Sequence, residues 1–127
     1  ETKSDDAGDY QGTLGLRIRA GKKESYFAGT LLSKKDPRII RIDDFSVEIV
    51  PEGIMLLIYN NDKPGVIGNL GTFFGKHGIN IARMHFGRES AGGVAISVMS
   101  IDSPVTQADI EEIKKMPNIL SVKLLNI

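Results

Sequence analysis

The chain has 127 residues, 41% hydrophobic and 25% charged, a globular composition with room for one domain, or for a small domain and a piece of another. Sixteen basic residues offset sixteen acidic ones, nine against nine up to Val50 and seven against seven beyond it, so no basic face announces a nucleic-acid partner. The absence of cysteine excludes disulfides, thiolate metal sites and a cysteine nucleophile, and no apolar run nears the roughly 18–20 residues of a membrane span. With no signal peptide at its start, a soluble, cytoplasmic protein is expected. An opening at Glu1 without methionine points to a piece cut from a longer chain.

Residues 1–12 are polar and expected to be loose. Leu14, Leu16 and Ile18 alternate with Gly15, Arg17 and Arg19, the period of a half-buried strand. Gly21-Lys22-Lys23 reads as a turn, Glu24 to Leu32 as a second strand, and Lys34-Lys35-Asp36-Pro37 as its break. Ile39, Ile40 and Ile42, then Phe45, Val47 and Ile49, flank Asp43-Asp44, a hairpin signal. Residues 1–50 therefore predict a β-rich partial domain of about four strands. Pro51-Glu52-Gly53 marks the joint to a second domain, 51–127.

Beyond that joint the pattern repeats. Met55–Tyr59 predicts a strand, Val66–His77 a helix and Ile79–Phe86 a strand. Val94–Ile101, Thr106–Met116 and Ile119–Leu125 then predict the same series again. At an offset of 40, Asp62-Lys63-Pro64 falls on Asp102-Ser103-Pro104 and Ile79 on Ile119. Two such halves predict an α+β, ferredoxin-like βαββαβ domain. Val66, Ile67, Leu70, Phe73 and Phe74 mark one buried helix face, and Ile110, Ile113 and Met116 another. Thr106-Gln107-Ala108-Asp109 fits a capping box, and Ser90-Ala91-Gly92-Gly93 is the hairpin turn joining the halves.

Glycines at 65, 68, 71, 75 and 78 raise the question of a phosphate loop. Neither G-x-x-x-x-G-K-[ST] nor G-x-G-x-x-G occurs, and a KH-type clamp lacks surrounding positive charge. Gly68, Gly71 and Gly75 share one side of a helix, each at a cost of about 1 kcal/mol against alanine. Close backbone approach, to the sheet or to another subunit, explains such a row. Pro64 at the first helical position leaves amides free at the helix start, an anion site suited to a carboxylate. Asp62 beside it complements an ammonium, so the pair matches an amino-acid zwitterion, with Asn60 and Asn80 as further polar contacts. The alternative is that these are simply turn residues.

NNDKPGVIGNLGTFFGKHGINIARMHFGRESAGG resembles the ACT domain, a small regulatory fold that binds amino acids, as it stands at the C-terminus of D-3-phosphoglycerate dehydrogenases. Upstream, AGTLLSKKDPRIIRIDDFSVEIVPEG is similar to the end of the intervening, allosteric substrate-binding domain of long forms. The resemblance implies a regulatory fragment of an NAD-dependent oxidoreductase that opens serine biosynthesis. L-Serine is the implied effector, bound between ACT domains of a homodimer or homotetramer for feedback inhibition. Its implied contacts are Asn60, Asp62, the backbone of Gly65, Val66 and Ile67, and Asn80. Relatives carry His or Tyr at position 60, so Asn60 is a departure. Arg38 falls at an implied anion-binding position of the intervening domain. Val50 and Ser100 stand where other relatives have arginine.

The implied catalytic parts, a Rossmann domain for NAD and a His–carboxylate pair, lie outside this sequence. His77 and His85 read as structural, and two histidines without cysteine give no zinc site. Other readings keep the ACT fold in an iron–sulfur L-serine dehydratase, or as an oligomerisation domain without ligand. An RRM-like RNA binder shares the topology, but strands 79–86 and 94–101 carry only Phe86 as an aromatic.

Overall fold

A computed structural model describes residues 2–5, 13–20, 23–31, 36–88 and 91–127. The chain divides into two compact units, Glu1–Pro51 and Glu52–Ile127.

The first unit is an antiparallel meander in sequential order: β1 (Thr2–Asp5), β2 (Thr13–Ala20), β3 (Lys23–Leu31), β4 (Pro37–Ile42) and β5 (Phe45–Ile49). β1 corrects the expectation of a loose start. It has no apolar alternation to betray it, and it forms by backbone pairing onto β2, with Thr2 opposite Leu16 and Asp5 opposite Thr13. Of the predicted turn Gly21-Lys22-Lys23, Gly21 and Lys22 lie outside the described residues, as do Lys34 and Lys35 of the predicted break Lys34-Lys35-Asp36-Pro37, while Lys23 opens β3. Pro37 opens β4, a position that asks no amide of the ladder. Ile40, Ile42, Phe45 and Ile49 are buried with Ala28. The β4–β5 turn is clamped to β3: the Asp43 amide donates to the Tyr26 carbonyl and the Tyr26 amide to Asp43 Oδ1.

The second unit carries β6 (Ile54–Asn61), α1 (Val66–Lys76), β7 (Ile81–Arg88), β8 (Val94–Ile101), α2 (Gln107–Lys114) and β9 (Ile119–Asn126). Its sheet runs β7-β8-β6-β9 with every pair antiparallel. This is the ferredoxin-like α+β arrangement expected from the sequence. Leu56 and Ile58 of β6, Met99 and Ile101 of β8 and Val122 of β9 form one core with Val66, Leu70, Phe73 and Phe74 of α1 and Ile110 and Ile113 of α2. Alternation assigns these residues to one face of the sheet. Met55, Leu57, Ile96 and Val98 are buried too, so the two central strands are apolar on both faces. The halves repeat in space as in sequence: β6 and β8 stand 40 positions apart.

Two boundaries move for local reasons. The sequence puts Pro64 first in the helix, whereas Gly65 is the N-cap, at φ 92, and α1 begins at Val66. That left-handed residue, which glycine adopts without strain, breaks the helical path between Pro64 and Val66. At the other end Gly78, at φ 66, closes α1. Its amide donates to the Gly75 carbonyl and that of Ile79 to Phe74, the Schellman pattern. Ile79 is thus spent on the cap, and β7 starts at Ile81. α2 has its capping box: Thr106 Oγ1 accepts from the Asp109 amide, and Asp109 Oδ2 from the Thr106 amide.

The glycine row is where the sequence left a choice, and packing against the sheet is overturned. Gly68, Gly71 and Gly75 are exposed, and a Cβ added at any of them would meet nothing within 4 Å. The buried stripe of α1 lies on the other side, at Val66, Leu70, Phe73 and Phe74.

Candidate functional site

The effector-contact residues singled out by sequence fall into two groups at opposite ends of one sheet. The first group sits where β6 gives way to α1. Asn60 is buried, 1% exposed. Its Nδ2 donates to the Asn61 carbonyl at 3.0 Å, and its Oδ1 accepts from Ser97 Oγ at 3.2 Å. A polar group so enclosed is kept only when bonded. Asn60 is therefore a buried support under the strand end, not an open contact.

Asp62 follows. One of its oxygens, Oδ2, accepts from Arg88 Nη1 at 2.9 Å and from the Gly92 amide at 3.3 Å. The Arg88 hydrogen bond, then that of Gly92, holds its carboxyl below the usual aspartate range. Arg88 is not foreseeable from the sequence, because 26 positions separate it from Asp62. β7 runs antiparallel to β8 beside β6, and only that order brings them together. Beyond Gly65, the amides of Val66 and Ile67 have no hydrogen-bond partner among the described residues, as a helix start without a side-chain cap leaves them.

Asn80 stands at the other end. Asn61 pairs with Val94 at one end of β8, while Ile54 and Ile81 pair with Ile101 at the other. The eight residues of β8 therefore hold the Asp62 and Asn80 ends about 23 Å apart. Asn80 Nδ2 donates to Asp102 Oδ2 at 2.7 Å, and the Asp102 amide donates to the Asn80 carbonyl at 3.1 Å. Asp102 is the residue that the 40-residue offset matches to Asp62.

Between the two ends lies an open edge. β7 is the outer strand of the sheet. Its Met84 and Phe86, opposite Met99 and Ser97, stay 44% and 43% exposed. His77 closes α1 with its ring on Phe73 at 4.1 Å, Nδ1 2.9 Å from the Phe73 carbonyl and Nε2 3.5 Å from Asp109. It ties the two helices together. His85 sits within β7. In the first unit Arg38 Nη1 is engaged by the Asp36 carboxylate and by the Pro37 carbonyl at 2.9 Å.

A sheet, two helices over its core face, a Pro-Gly start and an Asn after the first helix are all in place. The ACT domain family matches residues 54–118. The chain belongs to the ACT domain family. The chain is 34% identical over 118 residues to the D-3-phosphoglycerate dehydrogenase of Methanocaldococcus jannaschii, covering 93% of this chain and 22% of that protein. It is 35% identical over 129 residues to the enzyme of the same name from Archaeoglobus fulgidus, covering 100% and 24%. To the probable L-serine dehydratase beta chain of Bacillus subtilis it is 26% identical over 121 residues, covering 95% and 48%. The chain thus spans under a quarter of the length of the dehydrogenases it matches.

The ACT domain and the meander before it do not fit a nicotinamide cofactor. A dinucleotide crevice opens at the carboxyl ends of parallel strands behind a glycine fingerprint, and both sheets here pair antiparallel throughout. Among the described residues no three His, Asp or Glu side chains gather as a metal site, and no helix is long and apolar enough to cross a membrane.

Proposed function

We propose that this chain is the amino-acid-sensing part of a D-3-phosphoglycerate dehydrogenase, and that two copies bind L-serine between them for feedback inhibition. The observation that carries this reading is the division of the candidate site. The Asp62–Ile67 group and Asn80 are held about 23 Å apart by a rigid sheet, so no one ligand reaches both within a chain. A second copy, related by a two-fold axis alongside β7 and α1, runs antiparallel to the first. Its Asn80 end then meets the first copy's Asp62 end.

Three features support that pairing. β7 is an edge strand, its Met84 and Phe86 are exposed, and the open glycine row of α1 admits close approach of another backbone. The free amides of Val66 and Ile67 suit the ligand's carboxylate, with Gly65 letting it come near. Asn60 acts from below by fixing the strand end. Inhibition follows only if serine binds one arrangement of subunits better than another, a coupling of about 1–3 kcal/mol. NAD and the oxidation of 3-phospho-D-glycerate belong to the rest of the parent enzyme, a cytoplasmic homodimer or homotetramer. The first unit is the last part of its intervening domain. An anion bound there by Arg38 displaces the Asp36 carboxylate.

Calorimetric titration of L-serine, with D-serine and glycine as controls and sedimentation alongside, tests the reading. Saturable binding selective for L-serine by a dimer is expected; a dimer that takes up no amino acid sinks it. The dehydratase relative, of which the chain covers 48%, supports a second reading in which the same module controls a lyase. The sequence of the parent's other domains separates the two.

A further inference from the structure

The internal repeat sets a carboxylate after each central strand, Asp62 after β6 and Asp102 after β8. Their surroundings differ. Asp62 already has a cation, the Arg88 guanidinium at 2.9 Å, and an amide donor in Gly92 on the same oxygen. An ammonium arriving at its other oxygen, Oδ1, meets a charge that Arg88 already offsets. Asp102 is exposed and has no cationic partner among the described residues. Its side-chain partner is the neutral carboxamide of Asn80, at 2.7 Å. That contact also fixes which way Asn80 faces. An ionised carboxylate can only accept, so Nδ2 must turn toward it and Oδ1 away from it. One strand end thus presents a carboxylate and the amide oxygen of the side chain bonded to it, acceptors suited to the N–H donors of an ammonium.

We propose that Asp102, with Asn80 Oδ1, receives the ammonium of the bound amino acid, and that Asp62 serves the site by holding Arg88 and the β7–β8 turn. This rests on the amino-acid-binding reading above, in which the Asn80 end of one copy faces the helix start of the other. It also divides the zwitterion between the copies: one supplies the amides for the carboxylate, its partner the acceptors for the ammonium. Each ligand then bridges two chains through opposite charges, which makes its binding depend on their pairing.

The test titrates L-serine into the full 127-residue chain as wild type, Asp102→Asn, Asp102→Glu and Asp62→Asn, with thermal unfolding and sedimentation as controls of fold and pairing. Asp102→Asn keeps an acceptor for Asn80 and loses the charge. It is expected to weaken binding about tenfold or more, the scale of a lost charge-assisted bond. Asp62→Asn is expected to weaken it less, and Asp102→Glu to bind more tightly than Asp102→Asn. A smaller loss in Asp102→Asn, an equal loss in Asp62→Asn, or no difference between the two Asp102 variants overturns the assignment and leaves the amino-acid site standing. Wild type that binds no serine removes the amino-acid reading itself, and this assignment with it.

Discussion

Asp62 and Asp109 are carboxylates kept ionised by donors rather than by burial. Asp62 is held mainly by the Arg88 hydrogen bond and Asp109 mainly by the Thr106 amide, and both lie below the ordinary aspartate range. Groups whose folded pKa is depressed stabilise the fold above their unfolded value, about 3.9, and lose that contribution as pH falls through the folded one. Thermal unfolding followed downward from neutral pH is therefore expected to stay level until about pH 4 and then drop. Asp109→Asn is expected to start lower at pH 7 and to fall less steeply. An unchanged slope in that variant removes Asp109 from the explanation. Asn60 and Ser97 make a different kind of polar contact, enclosed by the core at 1% and 0% exposure. Ser97→Ala strands Asn60 Oδ1 without its donor, at a cost of about 1–2 kcal/mol, readable by urea unfolding.

Each helix states its own limits. Thr106 and Asp109 cap α2 reciprocally, so Thr106→Ala is expected to cost about 1 kcal/mol and Thr106→Ser to restore most of it. Both are measured by chemical denaturation. α1 has no side-chain cap and keeps three glycines on its open face. Alanine is tolerated there sterically and favours the helix by about 1 kcal/mol. Gly71→Ala should therefore leave the folded chain at least as stable while loosening self-association in sedimentation, because the added methyl meets the partner. Association unaffected by this change would take α1 out of the interface. The helices were the most legible elements, since their apolar residues recur at i, i+3 and i+4 regardless of what packs against them. β1 was the least legible. Thr2–Asp5 has no such period, and its place is set by the strand beside it.

Two copies that pair as proposed make stability depend on concentration and on ligand. L-Serine at a hundred times its dissociation constant is expected to stabilise the folded state by about 2.7 kcal/mol, seen as a rise in unfolding temperature absent with D-serine. A rise of equal size with both enantiomers indicates a nonspecific solute effect and counts against the site. The same measurement at several chain concentrations reports whether ligand and pairing are linked, as a site divided between two copies requires.

Local chemistry in this sequence determined the order of elements from β2 onward, the doubled βαβ pattern, the α2 capping box and the buried faces of both helices except at Ile67, which lies outside the core. Apart from the 40-residue repeat, each of these depends on residues at most a few positions apart. The glycines also announced an unusual helix, though not which way it faced. What the tertiary structure alone decided are the partners: Arg88 for Asp62, Ser97 for Asn60 and Asp102 for Asn80, at separations of 26, 37 and 22 residues. These depend on strand order and register, which are settled by packing the whole sheet on its core. For the same reason Asn60, Asp62 and Asn80, close together in the sequence, lie at two ends of one sheet. An antiparallel strand of eight residues separates its ends by its full length.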